Sequence, residues 1–129
     1  MSKGPRQRAY RRGRSSEALC RLMLRVKGYR ILASGFRVPA GEIDIVARRG
    51  GTLAIVEVKA RASLADAAEA LGARQRRRIA RAASAFLQQY PAAVGLAVRF
   101  DVMLVRPWRL PRHMTNAWRL EDVAPPRRG

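Results

Sequence analysis

The chain has 129 residues, which suffice for one domain with a packed core, whereas two domains would each have a thin one. No apolar run approaches the length of a membrane span, and the basic N-terminus lacks the apolar stretch of a signal peptide. We therefore expect a cytoplasmic protein that does not associate with membranes. The single cysteine, Cys20, excludes an internal disulfide and a multi-cysteine zinc site.

Positive charge dominates the composition. The chain has 27 Lys and Arg residues against 9 Asp and Glu residues, a formal net charge of +18. Such a field concentrates polyanions and speeds encounter with them. Nucleic acid is the expected partner, with anionic lipid and acidic proteins as alternatives. A GC-rich genome also favours arginine, but that bias alone would not deplete the acids so strongly.

The first predicted elements are a basic arm and a helix. Residues 1–14 are rich in Lys and Arg and contain no acid, which is typical of a flexible arm, and Arg12 and Arg14 are expected to bind nucleic acid. Ser15 and Ser16 offer an N-cap for a helix that Gly28 ends. Apolar residues at helical spacing predict the face that packs on the sheet: Leu19, Leu22, Met23 and Val26.

Strands and a second helix follow. Apolar, β-branched runs predict strands at Tyr29–Ala33, Glu42–Ala47, Thr52–Ala60 and Leu96–Val105, with a tight Gly50–Gly51 hairpin turn between the second and third. Ala65–Gln89 reads as a helix interrupted near Gly72, and Pro91 closes it. Its buried stripe is predicted to be Ile79, Ala82, Ala83, Phe86 and Leu87. Beyond Pro107 we expect a short strand or extended edge.

The order α-β-β-β-α-β predicts an α/β fold with a mixed sheet flanked by helices. We divide the chain into a flexible arm at 1–14, one domain at 15–120 and a C-terminal tail at 121–129.

The residues that carry chemistry lie on the predicted hairpin. Gly41-Glu42-Ile43-Asp44 precedes the turn and Val56-Glu57-Val58-Lys59 follows it. Because side chains alternate along a strand, Glu57 and Lys59 share a face, and strand pairing can place Asp44 beside Glu57. Two carboxylates among apolar neighbours repel each other unless a cation lies between them, and Mg²⁺ prefers oxygen ligands.

Lys59 would complete a phosphodiester-hydrolysing site. Its ammonium could orient or help deprotonate a water, or stabilise charge on a phosphate. A surface hairpin with interleaved charges is the alternative. Against it, three of the chain's 9 acids fall in these two apolar strands. Glu17, in the first turn of the first predicted helix, is a further candidate acid.

The joined pattern resembles the PD-(D/E)xK nuclease superfamily, and more closely its YraN-like branch (uncharacterised protein family 0102). The resemblance covers roughly residues 12–120. It includes the helix start near Gly13 and Glu17, Gly28-Tyr29, Gly41-Glu42-Ile43-Asp44, Val56-Glu57-Val58-Lys59-Ala60-Arg61, and Arg99-Phe100-Asp101-Val102. Ile43 stands where the superfamily motif has Pro, and Gln75 stands where the family often has Lys.

The resemblance implies a restriction-endonuclease-like fold related to Holliday junction resolvases. It implies that Asp44, Glu57 and the backbone carbonyl of Val58 hold Mg²⁺ or Mn²⁺, and that Lys59 and Glu17 are catalytic. The expected function is a metal-dependent endonuclease on structured DNA, with DNA favoured over RNA. The alternative is a nucleic-acid-binding module that keeps the fold without turnover. Because junction cutting needs two active sites, a homodimer is attractive.

Further residues are assigned by composition and context. A cluster on the second helix is expected to contact phosphates: Arg74, Arg76, Arg77, Arg78 and Arg81. Asp101 is expected to form a structural ion pair with Arg99. His113 reads as a loop residue. Trp108 and Trp118 could stack on bases, but docking of the tail onto the core is the preferred interpretation.

Overall fold

A computed structural model describes residues 5–61, 63, 65–66 and 71–122, and for residues 5–14 and 122 it describes the backbone alone. Within that part, a five-stranded mixed sheet carries a helix on each face. The elements are α1 (Pro5–Val26), β1 (Arg30–Val38), β2 (Gly41–Arg49), β3 (Thr52–Ala60), α2 (Ala73–Gln89), β4 (Ala97–Val105) and β5 (Arg112–Trp118). The predicted α/β class and α-β-β-β-α-β order are confirmed, as is a short strand beyond Pro107.

The strands lie in chain order, β1-β2-β3-β4-β5. All neighbours are antiparallel except β3 and β4, which are parallel. Parallel neighbours need a crossover connection, and α2 lies in the segment that joins them. The C-terminal ends of β3 and β4 therefore meet at one edge of the sheet. The β2–β3 turn adopts a positive φ of 59° at Gly50, which glycine tolerates without strain.

Each face of the sheet buries its own apolar cluster. Under α2 the predicted stripe is confirmed, because Ile79, Ala82, Ala83 and Phe86 are buried. Under α1 the cluster includes Cys20 and Leu24, packed on β2, β3 and β4. Burial raises the pKa of the Cys20 thiol to about 12, with smaller contributions from nearby carboxylates.

Helix α1 differs from its predicted extent and orientation. It begins at Pro5, well before the expected N-cap at Ser15, and Pro is favoured in the first turn of a helix. The predicted packing face was wrong for three of its four residues: Leu19, Leu22 and Val26 are 37%, 56% and 80% exposed, whereas Met23 packs against the core. The helix buries Ser16, Cys20 and Leu24 instead. Both stripes have helical spacing, so hydropathy alone does not choose between them, and small side chains at 16 and 20 suit close packing on the sheet.

Helix α2 crosses β2 at very close range. A Cβ atom added at Gly41 would lie 1.9 Å from the backbone carbonyl oxygen of Arg78. Glycine is therefore required at this position for α2 to pack where it does. Gln75 lies about one turn before Arg78, and the close crossing holds that turn over the sheet.

No helix among the described residues has both the length and the apolar content of a membrane span. The division into arm, domain and tail stays a prediction. Residues 1–4 and 123–129, and residues 67–70 of the second predicted helix, lie outside the described part.

Candidate metal centre

The β2–β3 hairpin brings Asp44 and Glu57 together. The register pairs Ile45 with Val56, so one further step places Asp44 opposite Glu57 on the same side of the sheet. The two carboxyl groups are close enough to share a hydrogen bond when one of them is protonated. The turn that fixes the register therefore also determines which two carboxylates meet.

The backbone of Val58 holds the Asp44 carboxylate in place. The Val58 N–H donates to Asp44 Oδ2 at 2.8 Å. Val58 lies beyond the last paired residues of β2 and β3, so its N–H has no partner in the β2–β3 ladder. In a strand, the N–H and C=O of one residue point to the same side. The Val58 carbonyl therefore points toward the same open end of the hairpin as Asp44.

Gln75 and Lys59 approach the pair from α2 and β3. Gln75 Nε2 donates to Glu57 Oε1 at 3.1 Å, and Lys59 Nζ donates to Gln75 Oε1 at 3.4 Å. Lys59 Nζ also lies 3.9 Å from Glu57 Oε1, with its side chain only 13% exposed. The lysine is thus held beside the carboxylates and screened from bulk water.

One oxygen of Glu57 is left without a donor. Glu57 Oε2 is buried and accepts no hydrogen bond from the described residues. Burial, followed by the charge of Asp44, raises the pKa of Glu57 to about 9. Burial also raises the pKa of Asp44, although the Val58 N–H, Glu57 and Lys59 oppose the rise. The pair can therefore share either a proton or a cation.

The donor set fits a hard divalent cation. It consists of oxygen atoms, namely two carboxylates and the carbonyl of Val58, which Mg²⁺ and Mn²⁺ accept. In the described ranges, no group of three or more His, Cys, Asp or Glu residues is disposed to hold a metal. A cation here would thus keep several waters, as Mg²⁺ commonly does.

Glu17 lies within electrostatic reach of the pair but does not complete a ligand group. Burial raises the pKa of Glu17, the charge of Asp44 raises it further, and Arg21 opposes the shift. Glu17 and Arg21 line a cavity of about 390 Å³ together with Ser34 and Gly35 of β1. The buried stripe of α1 runs next to Glu17, which turns this carboxylate toward the sheet.

The stability of the cation-free protein is expected to fall as the pH rises. Glu57 has an ordinary pKa of 4.5 and a folded value of about 9, so folding favours its protonated form. The stabilisation is complete below the ordinary value and is lost as the pH rises through the folded value, at no more than about 1.4 kcal/mol per pH unit. Thermal unfolding in EDTA should show this decline.

Added Mg²⁺ or Mn²⁺ should then raise the Tm more at pH 8 than at pH 6, because the cation competes with the proton. The variant Glu57→Gln should flatten both dependences. A wild type whose pH profile matches that of Glu57→Gln, with or without cation, would contradict this prediction.

Three arginines form an exposed stripe on α2. Arg74, Arg78 and Arg81 are exposed and follow one another at spacings of four and three residues, which places them on one side of the helix. Arg76 is engaged within the fold, since its Nε donates to the Leu71 carbonyl at 2.9 Å. Arg77 is partly buried and also has an interaction partner. The side chains of Arg12 and Arg14 lie outside the described part.

A second buried carboxylate, Asp101, belongs to a structural network. It is 0% exposed, and Arg99 binds it through two bonds of 2.8 Å, which confirms the expected ion pair. His113 Nε2 lies 2.7 Å from the same carboxylate, and the Asn116 N–H donates to it at 2.9 Å. The interpretation of His113 as a loop residue was wrong, because it lies in β5 with its side chain 2% exposed. The bond to a buried anion holds it there.

Gln75 is the site residue that sequence reasoning overlooked. In the sequence it stands out only as a departure from the lysine that the family often has. Yet Gln75 precedes Ile79 by four residues and Ala82 by seven, so it continues the buried stripe of α2. A polar side chain on that stripe, within a run of arginines, predicts a contact with the sheet.

Comparison with known proteins places the chain among uncharacterised sequences. Residues 16–105 match the model of "Uncharacterised protein family UPF0102". A UPF0102 protein of Paramagnetospirillum magneticum is 54% identical over 119 residues, which cover 89% of this chain and 92% of that protein. Another from Parvibaculum lavamentivorans is 55% identical over 111 residues, covering 86% and 84%. A third from Methylorubrum extorquens is 51% identical over 121 residues, covering 93% and 94%.

Proposed function

The chain belongs to uncharacterised protein family UPF0102, and from this premise we propose that it is a Mg²⁺- or Mn²⁺-dependent endonuclease that hydrolyses phosphodiester bonds in structured DNA. One observation carries the proposal: the unsatisfied Oε2 of Glu57, buried beside Asp44 and with Lys59 close by. A buried carboxylate oxygen without a donor is costly, and a cation would relieve that cost.

Asp44, Glu57 and the Val58 carbonyl would hold the cation. When bound, it would supply Lewis acidity toward the phosphodiester and charge neutralisation for the carboxylates. Lys59 would orient the attacking water and stabilise negative charge on the phosphate. The attacking water loses a proton to solvent as its oxygen bonds to phosphorus, the bond to the leaving sugar oxygen breaks, and that oxygen takes up a proton from solvent. Glu17 is suited to order water at the α1 side of the site.

The exposed arginines of α2 would bind the substrate. Arg74, Arg78 and Arg81 lie on the helix that carries Gln75, and the net charge of +18 favours a polyanion. Phosphate contacts position a nucleic acid without reading its sequence. The preference for DNA over RNA follows the resemblance to junction resolvases. The proposal also includes a cytoplasmic location and a homodimer, because cutting a junction requires two active sites.

Binding to nucleic acid should weaken steeply with salt. Each phosphate contact contributes about −0.9 to the slope of log affinity against log salt concentration on duplex DNA. Replacing Arg74, Arg78 and Arg81 with Gln should lower affinity about equally on unrelated sequences and reduce the slope by up to about 3. Fluorescence anisotropy at several salt concentrations measures both quantities.

A matched control removes charge elsewhere. Arg30 and Arg48 are exposed partners across β1 and β2, at the end of the hairpin that carries Gly50. Replacing both with Gln should leave a slope closer to that of wild type than replacing Arg74 and Arg78 alone, a variant that also removes two charges. An affinity that does not change between low and moderate salt would point to another kind of partner.

A non-catalytic nucleic-acid-binding module is the second candidate. The contacts of Gln75 with both Glu57 and Lys59 favour it, because they satisfy the lysine and one carboxylate oxygen without a cation. A cleavage screen separates the two. Duplex, single-stranded, flap and four-way-junction DNA, with matched RNA, are incubated with the protein in Mg²⁺, Mn²⁺ or EDTA. Cation-dependent cutting supports the nuclease, whereas tight binding without cutting in any condition supports the module.

A further inference from the structure

A strained turn follows β4 and displays a tryptophan. The Arg109 N–H donates to the Arg106 carbonyl at 3.4 Å, which closes the turn Arg106-Pro107-Trp108-Arg109. Pro107 occupies the second position, and Trp108 occupies the third with a φ of 61°. These are the features of a type II turn, whose third position favours glycine. Strain of this kind is destabilising and is often kept at functional sites.

The side chain of Trp108 gains nothing from packing. It is 102% exposed, so the expected docking onto the core is wrong for this residue. Trp118, by contrast, is buried and stacks on Phe100 with ring centroids 4.0 Å apart. Backbone strain and full exposure of a large apolar ring are both unfavourable for folding, so Trp108 does not stabilise the fold. The ring is therefore free to contact another molecule.

A cavity lies next to Trp108, where β3 and β4 end. Its volume is about 390 Å³, and it is lined by Ser16, Ala60, Val105, Arg106, Pro107 and Trp108. Ala60 and Val105 are the last residues of β3 and β4, so the cavity lies at that end of the sheet. Because side chains alternate along β3, it opens on the α1 face, whereas Lys59 lies on the α2 face.

Arg106 adds an unsatisfied cation to this cavity. Its Nε is buried and has no hydrogen-bond partner in the described part of the chain. A buried guanidinium N–H without an acceptor is unfavourable, and a phosphate oxygen is a strong acceptor for it. The cavity thus combines an aromatic ring for stacking with a donor for an anion, which is the combination that single-stranded nucleic acid binds.

We propose that this cavity is a nucleotide-binding pocket, in which Trp108 stacks on an unpaired base and Arg106 binds the adjoining phosphate. The proposal rests on the proposed function in that the ligand is nucleic acid, and it specifies the substrate class. A fully paired duplex offers no open base face along its length, whereas single strands, flaps and gaps do. The pocket therefore selects substrates with unpaired bases.

The test measures binding in EDTA, so that it does not depend on cleavage. The probes are a single-stranded oligonucleotide, a flap and a blunt duplex of the same sequence. Their binding is measured by fluorescence anisotropy and by the change in tryptophan emission. Trp108→Ala should weaken single-strand and flap binding by roughly tenfold or more and leave duplex binding unchanged. It should also remove the quenching of tryptophan emission by single strands, because Trp118 is buried away from the pocket.

Three further variants separate a binding role from a structural one. Trp108→Phe should restore most of the affinity, since a phenyl ring still stacks. Trp108→Gly should relieve the strained turn and keep or raise the Tm while losing single-strand affinity. Leu110→Ala removes another exposed apolar side chain near this turn and should have no effect. Arg106→Gln should weaken single-strand binding at low salt.

The outcomes distinguish this inference from the nuclease proposal. Selective loss of single-strand affinity in Trp108→Ala supports the pocket, even if the wild type cuts nothing. If Trp108→Ala loses affinity equally for duplex and single strand, the inference is overturned. It is also overturned if Trp108→Ala binds single strands as tightly as the wild type does. A wild type that binds no nucleic acid at all overturns it as well.

Discussion

Cleavage is expected to be lost when Asp44 or Glu57 is replaced with alanine, while substrate binding in EDTA persists. Each replacement removes a proposed cation ligand but leaves the α2 arginines in place. The turnover rate should fall at least about 100-fold, because a catalytic cation stabilises the transition state by several kcal/mol. Binding without cation should be unchanged or tighter, since one negative charge near the phosphates is gone.

Two further variants test the separate roles in the site. Lys59→Met should lower turnover by roughly 100-fold or more and leave cation binding largely intact, because the lysine is not a proposed ligand. Glu42→Ala is the matched control, since it removes a carboxylate two residues from Asp44 that forms an exposed ion pair with Arg37. It should cut at the wild-type rate.

Isosteric variants guard against loss of folding. Folding of the wild type at neutral pH requires Glu57 to take up a proton, because its pKa rises from 4.5 to about 9, whereas Glu57→Gln needs none and should fold at least as stably. A Glu57→Gln protein that is folded and binds substrate, yet cleaves as well as the wild type, would refute the metal centre. A wild type that binds nucleic acid tightly but cuts neither DNA nor RNA would make the binding module the better description.

Stability should depend most strongly on the other buried carboxylate. Asp101→Asn is expected to lower the free energy of unfolding by about 3 kcal/mol, because it leaves Arg99 without its buried counter-ion. The amide also presents an N–H₂ group where the carboxylate only accepted hydrogen bonds. For a chain of this size, the Tm should drop by roughly 10 °C. Urea denaturation followed by circular dichroism measures the change.

The control for Asp101 is an exposed ion pair. Glu42→Gln breaks the contact with Arg37, whose side chain is 78% exposed, and should cost less than about 1 kcal/mol. If the two variants lower the free energy of unfolding by the same amount, the burial of Asp101 does not explain its contribution to stability.

The pH dependence of stability offers a second measurement. Burial tends to raise the pKa of Asp101, but hydrogen bonds from His113, Arg99 and the Asn116 N–H lower it overall. Its stabilisation is therefore present above the ordinary value of 3.8 and is lost as the pH falls through the folded value. Asp101→Asn should remove this acid-side loss.

Local patterns accounted for most of the fold and for the centre of the site. The Gly50–Gly51 turn fixes the pairing of β2 with β3, and that register alone brings Asp44 opposite Glu57. The alternation of side chains along β3 then places Lys59 with Glu57. These features were predictable because they depend on residues close together in the chain.

What escaped prediction depends on distant contacts. His113 meets Asp101 because the β4–β5 register pairs it with Met103, which shares a face of β4 with Asp101, and no pattern in the sequence specifies that register. The buried side of α1 was predicted wrongly because both the predicted stripe and the observed stripe of Ser16, Cys20 and Leu24 have helical spacing. The positive φ of Trp108 runs against its local preference, so a sequence pattern would not indicate it.

Because Cys20 is buried under α1, its reactivity can report how often α1 separates from the sheet. A thiol with a pKa of about 12 hardly forms the thiolate that alkylating reagents attack, so Cys20 should react only when α1 separates from the sheet. As the single cysteine, it gives one unambiguous labelling signal. The alkylation rate under native conditions therefore measures how often α1 separates from the sheet. Because Glu17 lies on the same helix, a cation or substrate that tightens the site should slow the reaction.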